Sequence, residues 1–450
     1  MTKRIFARAG SMMLLSNILL FAALEAQTNT RHELSAEQSI EYARKNNTQV
    51  KNALLAVQIQ QQTNRGITSA ALPSVTGSLN TTGYINIPTT LVPAQFFGGA
   101  AGSYEAVQFG TKYTSVATVQ LQQTLFDGQV FVGLQARATS IDYQRKNVEV
   151  TEESIKVNVY KIYYQLVVSK TQIDLLDANI TRIQKLEHDT KELYKNGFAE
   201  KLDVDKLAVQ ESNLQTEKQK ALNSIEIGYL GLKTLMGMPI KDTLILTDNI
   251  TYDQIKDGLL DTAYQYTERK EFQYLNLVKK LNEYNIKRYQ LSYFPTLSLV
   301  GLYSKQAQRS SFDLFGKGDW YTTSYVGVNI SVPIFDGFNK DSKIKQSKLE
   351  LKQTVNNLDN LKLTIDSEVE QARIKFRSAV STMDYQKKNM ELAGTVYEQT
   401  KKKYEAGTGS NTEINASQTD LITAQTNYIN AMYDAVIAKI DFNKAIGKLK

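Results

Sequence analysis

Residues that carry enzyme chemistry are scarce here, and those present are poorly placed for it. His32 and His188 are the only histidines and stand 156 positions apart, without neighbours at ligand spacing. There is no cysteine, which removes thiol nucleophiles, thiolate ligands, disulfides and an N-terminal lipid-modified cysteine together. The run Phe97-Gly98-Gly99-Ala100-Ala101-Gly102 has no helix behind it whose N-terminus could hold a phosphate. No Walker loop or nucleophile elbow occurs. Asp and Glu number 46, but they fall on long helical faces, where solvated surface is the default. The expectation is no catalytic site, no metal and no cofactor.

What remains is a chain built to position surfaces. Its 450 residues are 22% charged and 42% hydrophobic, enough to bury a large apolar area. Lys3, Arg4 and Arg8, an apolar core at residues 12–24 and the small Ala26 predict a signal peptide over 1–26,. That core is too short to span a bilayer as a helix. Losing three basic residues and Glu25 takes the net charge from +7 to +5. No basic stripe with stacking aromatics appears, so nucleic acid is not an expected partner. The mature chain has no apolar run of eighteen residues, so any membrane crossing must use strands.

The longest helical stretch is 338–406, with no Pro and a single Gly, Gly394. Ile344, Leu351, Leu358, Ile365, Ala372 and Ala379 step by seven. Val369, Phe376, Met383, Met390, Tyr397 and Tyr404 form a parallel ladder on the same face. Sustained seven-residue spacing predicts a coiled coil, and a helix of this length spans on the order of 100 Å. Residues 134–196 repeat the device: Ile141, Val148, Ile155 and Ile162 beside Val159, Leu166, Ile173 and Ile180.

Between the rods the period changes to two. In 73–126, Val75, Leu79 and Ile85, then Ala117, Val119, Leu121 and Leu125, alternate with Ser, Thr and Gln. In 295–335, Leu297, Leu299 and Gly301, then Val326, Val328, Ile330 and Val332, do the same. Strands of about ten residues with one apolar and one polar face fit lipid on one side and water on the other.

Landmarks recur. Phe126-Asp127-Gly128 matches Phe335-Asp336-Gly337 at an offset of 209; Tyr194/Gly197 match Tyr404/Gly407, and Gly237 matches Gly447, at 210. Pro73 and Pro295 differ by 222, so the first half carries about thirteen extra residues, which fall in the loop between its strands. Two structural repeats are expected, 27–240 and 241–450. The first holds a helix over 35–70, a hairpin over 73–126, a long helix over 134–196 and a return helix over 199–236. The second holds a helix from about 254 to Pro295, a hairpin over 295–335, a long helix over 338–406 and a return helix over 411–446. On the last of these, Ser417, Ala424, Ala431, Ala438 and Ala445 step by seven, a seam where backbones approach closely. Four strands cannot close a barrel in lipid, so neighbouring copies must supply the rest; a trimer gives twelve.

Taken together, Tyr404 to Gly407 through Gly447, its weaker copy Tyr194 to Gly197 through Gly237, and Val332-Pro333-Ile334-Phe335-Asp336-Gly337 resemble the TolC-like outer-membrane factor (outer membrane efflux protein) family over residues 34–448. The resemblance implies an α+β membrane protein. Long antiparallel coiled-coil helices form a periplasmic α-barrel, and each chain gives four strands to a shared twelve-stranded trimeric β-barrel in outer-membrane lipid. It implies an exit duct of a tripartite efflux pump or type I secretion system, opened by a periplasmic adaptor (membrane fusion) protein and an inner-membrane transporter. It also implies that the turns at Tyr194, Gly197, Tyr404 and Gly407 are periplasmic tips where the adaptor docks. Some relatives carry an acidic ring at the tunnel mouth. Glu413 stands at its first position, with Asp203 at the matching point of the first half, but Ala416 stands at the second. A helix-start acid complementing the dipole is the plainer role for both. The rivals are a non-conducting coiled-coil spacer or surface adhesin, and a soluble periplasmic adaptor.

Overall fold

The structure, a computed structural model, describes residues 30–257, 263–313 and 316–449; the expected signal peptide at 1–26 lies outside them. The chain forms two compact units. One is drawn from Ala56–Arg145 and Leu275–Leu358, the other from residues up to Leu55 with Lys146–Tyr274 and Asp359–Lys450.

The first unit is built on a four-stranded antiparallel sheet, order β2-β5-β7-β8. Its strands are β2 (Ser74–Gly83), β5 (Tyr113–Phe126), β7 (Thr296–Arg309) and β8 (Tyr321–Ser331). Helices enter or leave at one end of this sheet only: α2 (Thr48–Ser69) before β2, α3 (Gly128–Lys195) after β5, α6 (Lys270–Leu291) before β7 and α7 (Asn339–Glu405) after β8. The opposite end carries two connections. The longer one holds a separate hairpin, β3 (Thr89–Pro93) with β4 (Tyr104–Gln108), in the loop expected to hold the extra residues. Asp127 Oδ1 accepts from the Gln129 amide at 2.8 Å and Asp336 Oδ2 from the Lys340 amide at 3.0 Å. Each long helix therefore starts on a carboxylate cap. The match between the two starts ends there: Gly337 and Phe338 both take left-handed φ, 66° and 64°, so α7 begins later after its Asp than α3 does.

The second unit holds most of α3 and α7 with their return helices α4 (Lys201–Met236) and α8 (Asn411–Ala445), plus α1 (Ala36–Asn46) and the short α5 (Tyr252–Lys256). No rung of the two α7 ladders is exposed. Leu358, Ile365, Ala372, Val369, Phe376, Met383 and Tyr397 are buried, and the others are half-buried. Phe376 stacks on Phe442 of α8 at 5.6 Å. On α8, Ser417, Ala424, Ala431 and Ala445 are buried, as the small-residue seam predicts. All four helices share one core: Leu176, Ile183 and Leu186 of α3, Leu207 and Leu214 of α4, Tyr397 of α7, Ile414 and Leu421 of α8.

The single helix expected over 35–70 is instead two. Asn47 is extended (φ −60°, ψ 132°). Its Oδ1 accepts from the Gln49 amide at 2.7 Å and its Nδ2 donates to Leu235 O of α4 at 2.7 Å. A tertiary bond thus outweighs local propensity. The helix expected from 254 to Pro295 is also divided, into α5, a 3-10 turn at Tyr266–Glu268 and α6; residues 258–262 lie outside the described set. A parallel pair unforeseen in the sequence, β1 (Arg31–Leu34) with β6 (Thr243–Leu246), aligns residues 212 apart. His32 Nε2 meets Asp242 Oδ2 there at 3.1 Å, and Tyr163 donates to Leu34 O at 2.9 Å.

Candidate functional site

The register of the sheet sorts its side chains. Val75, Leu121, Gly301 and Val326 form one cross-strand row. On the same face lie Leu79, Ala117, Val119, Leu297, Leu299, Val328 and Ile330. The neighbouring row is Ser78, Thr118, Ser304 and Thr323, in which the hydroxyls of Thr118 and Ser304 lie 3.2 Å apart. Val75 is 65% exposed and Val326 77%, so a single copy leaves its greasy face uncovered. That suits hydrocarbon and not water. Leu125 departs from the alternation, because the register shifts between Thr124 and Phe126. β2 and β8 each pair on one side only, leaving two rows of backbone groups open.

The second candidate region is the pair of helix turns. At the α3–α4 turn, Gly197 (φ 80°) follows Tyr194; its amide donates to Tyr194 O at 3.0 Å and the Phe198 amide to Leu193 O at 2.8 Å. At the α7–α8 turn, Gly407 (φ 73°) donates to Tyr404 O at 3.0 Å and Thr408 to Lys403 O at 3.0 Å. This is the Schellman arrangement, which satisfies orphan carbonyls and needs a left-handed residue at its centre. The Tyr-x-x-Gly spacing follows from it: the tyrosine carbonyl accepts from the glycine amide.

Around the turns lies a cleft of about 900 Å³. Arg182, Lys185 and Asp189 line it from α3, Asp203 from α4, and Tyr397, Lys401 and Tyr404 from α7, with Gly407 at the turn. Asp203, Tyr404 and Gly407 are therefore brought together, whereas Tyr194, Gly197 and Glu413 stand outside its lining. Tyr404 Oη and Thr190 Oγ1 lie 3.2 Å apart, tying α7 to α3. Glu413 occupies the first turn of α8, where Ser410 Oγ accepts from its amide at 3.2 Å and Lys403 reaches its carboxylate at 3.4 Å. Arg182 was not legible as a site residue. It bonds Asn179 and lies 5.9 Å from the Tyr397 ring centre. Asn179 in turn donates to Gln425 Oε1 at 2.8 Å. Burial pushes the Tyr397 phenol up, while Arg182 opposes it. Tyr397, its neighbour there, was visible in the sequence only as a rung of its ladder. No cluster of metal-ligating side chains occurs among the described residues.

A four-stranded sheet with one greasy and one hydroxylated face, joined to paired long helices with charged turns, is the make-up of an outer-membrane channel subunit. Comparison with known proteins agrees. A family model, outer membrane efflux protein, matches residues 269–448. The chain is 19% identical to the outer membrane protein TolC of Vibrio cholerae, over 74% of this chain and 76% of that one. It is 21% identical to the outer membrane efflux protein BepC of Brucella suis, over 90% and 84%. Its fold is similar to a solved structure of CusC, with a TM-score of 0.76 at 14% identity, covering 94% of this chain and 95% of that one. Residues 269–448 carry the outer membrane efflux protein family pattern, and the relatives and structural neighbours all point to the TolC-like outer-membrane factor family. The chain is an outer-membrane channel component of the kind that serves efflux or secretion.

Proposed function

We propose that three copies join edge to edge, β8 of one to β2 of the next, into a twelve-stranded barrel in outer-membrane lipid. The helices of the three copies continue as a tunnel into the periplasm. The chain is then a passive exit duct. A periplasmic adaptor docking at the turns around Tyr194, Gly197, Tyr404 and Gly407, together with an inner-membrane transporter, opens it for a tripartite efflux pump or type I secretion system. Residues 27–240 and 241–450 act as two structural repeats that supply one hairpin and one helix pair each. Glu413 and Asp203 are candidates for the tunnel mouth, with Lys403 partly neutralising the first. The observation that carries this is the two-faced sheet with both edges unpaired, since open edges in hydrocarbon cost several kcal/mol per unsatisfied group.

The test is conductance in planar bilayers, for the native chain and for Glu413→Ala, which allows for a closed resting tip. Channels with detergent-purified trimers support the duct; silence from both proteins removes it. Deletion-strain sensitivity to drugs, detergents and metals, beside adaptor pull-down, separates efflux from protein secretion.

A further inference from the structure

The β3–β4 hairpin is more than a long loop. Its register places Leu91 opposite Ala106 and Pro93 opposite Tyr104, so these four side chains share one face. All four are exposed, Leu91 and Tyr104 at 67% each. Val92 and Val107 on the reverse face are half-buried. Phe96, Phe97 and Phe109 beside them are exposed too. From Tyr84 to Thr111 the only charged side chain is Glu105. The hairpin is nonetheless preformed: Ala94 donates to Ser103 O at 2.9 Å, Gly99 to Ala94 O at 2.9 Å, and Ser103 Oγ to Ala100 O at 2.7 Å. An ordered, nearly uncharged, aromatic face left in water marks an interaction surface.

The topology says what covers it. The hairpin grows directly out of β2 and β5, whose pairing continues beyond the last ladder residue through the Tyr84 amide to Lys112 O at 2.8 Å. It stands at the end of the sheet remote from the helices, and β2 is a sheet edge. If the sheet closes as proposed above, β2 of one copy runs antiparallel beside β8 of the next. The segment just after β2 then lies next to the start of the neighbour's β8, where Tyr321 is exposed, and near Phe312 ahead of it, also exposed. We propose that the Leu91–Pro93–Tyr104–Ala106 face seats on a second copy of this chain, against its Phe312 and Tyr321. It would form a clasp across each seam at the outer mouth of the barrel. The proposal rests on the edge-to-edge reading, and the test separates the two.

The cysteine-free sequence gives a clean background. One variant carries Tyr104→Cys with Tyr321→Cys; a second is a set pairing Ser78→Cys in turn with Thr323→Cys, Tyr325→Cys and Gly327→Cys, because barrel shear staggers the β2–β8 seam it reports. All are treated in native membranes with a short bismaleimide. The clasp expects the first variant to yield dimers and trimers on reducing denaturing gels at yields comparable to the best pair of the second, while single substitutions yield none. If any seam pair links and the clasp variant stays monomeric, the clasp is wrong and the barrel stands. If neither the clasp variant nor any seam pair links, both fall. Replacing residues 89–108 by a Gly-Ser linker checks the same point without cysteines. The trimer should survive mild detergent but lose most of its resistance to dodecyl sulfate, and unchanged resistance overturns the clasp. Quenching of a Tyr104→Cys fluorophore by lipid-phase spin labels would assign the face to the membrane and also overturn it.

Discussion

Single residues here do their work through backbone geometry and buried charge. Gly197 and Gly407 need left-handed φ at the centre of their turns, and nothing lies within 4 Å of where a Cβ would stand. Valine at either position therefore costs strain alone, on the order of 1–2 kcal/mol. Gly407→Val should speed proteolytic nicking at the α7–α8 turn without unfolding the protein. Arg269 is 3% exposed and bonds Ala445 O at 3.0 Å and Glu368 at 3.0 Å, with Glu271 at 3.3 Å. Burial alone pushes the Glu271 carboxyl up, but the charge and hydrogen bond of Arg269 outweigh it and hold the group below its ordinary 4.5. A lowered carboxyl stabilises the fold above its unfolded pKa and loses that contribution as pH falls through the folded one. Glu153 nearby works in the opposite sense, raised by burial and then by Glu271. Arg269→Met should cost on the order of 1–3 kcal/mol at neutral pH, since it leaves the Ala445 carbonyl and the half-buried Glu271 without their buried partner,. The gap to the native protein in thermal unfolding should narrow below about pH 4.5. Glu413→Ala, by contrast, removes an exposed pair and should shift stability by less than about 1 kcal/mol; any change in bilayer conductance then reports the tunnel mouth and not folding. The turn glycines were legible because left-handed backbone selects a residue type. Arg269 was not, because an arginine before a helix looks solvated until Glu271, Glu368 and the end of α8 converge on it.

At the scale of elements, burial of the seven-residue ladders holds the helices together. Phe376→Ala, which vacates a buried stack on Phe442, should cost about 3–5 kcal/mol, seen as a lower midpoint of helical unfolding. Apolar rungs are readable without knowing the partner helix. Two buried rungs of α7 were missed because they are polar: Ser347 meets Asn285 at 3.1 Å and Thr354 meets Asn282 at 2.8 Å. Their place in the core depends on α6 offering amides across the seam. The β1–β6 pair was missed for another reason. Each strand is only four residues long, too short for alternation to register, and its partner lies in the other half of the chain.

For the whole molecule, the open sheet edges call for pairing with neighbouring copies, and the proposed barrel makes that number three,. An intact complex should migrate as a trimer in denaturing gels without heating and collapse to one chain when boiled. Ser78→Pro on edge strand β2 should abolish that trimer, because proline removes a backbone donor, while the helical signal in circular dichroism persists. One further consequence follows from the hydroxylated face. Along β2, β5 and β7 it presents Ser, Thr, Asn and Gln with Val116, Val300 and Leu302, and along β8 Ser331, Asn329, Gly327, Tyr325, Thr323 and Tyr321; no Asp, Glu, Lys or Arg appears on it. A lumen so lined offers permeant ions no fixed countercharge and should pass potassium and chloride almost indifferently. Reversal potentials under a salt gradient should stay near zero until Ser304→Asp plants a ring of acids there.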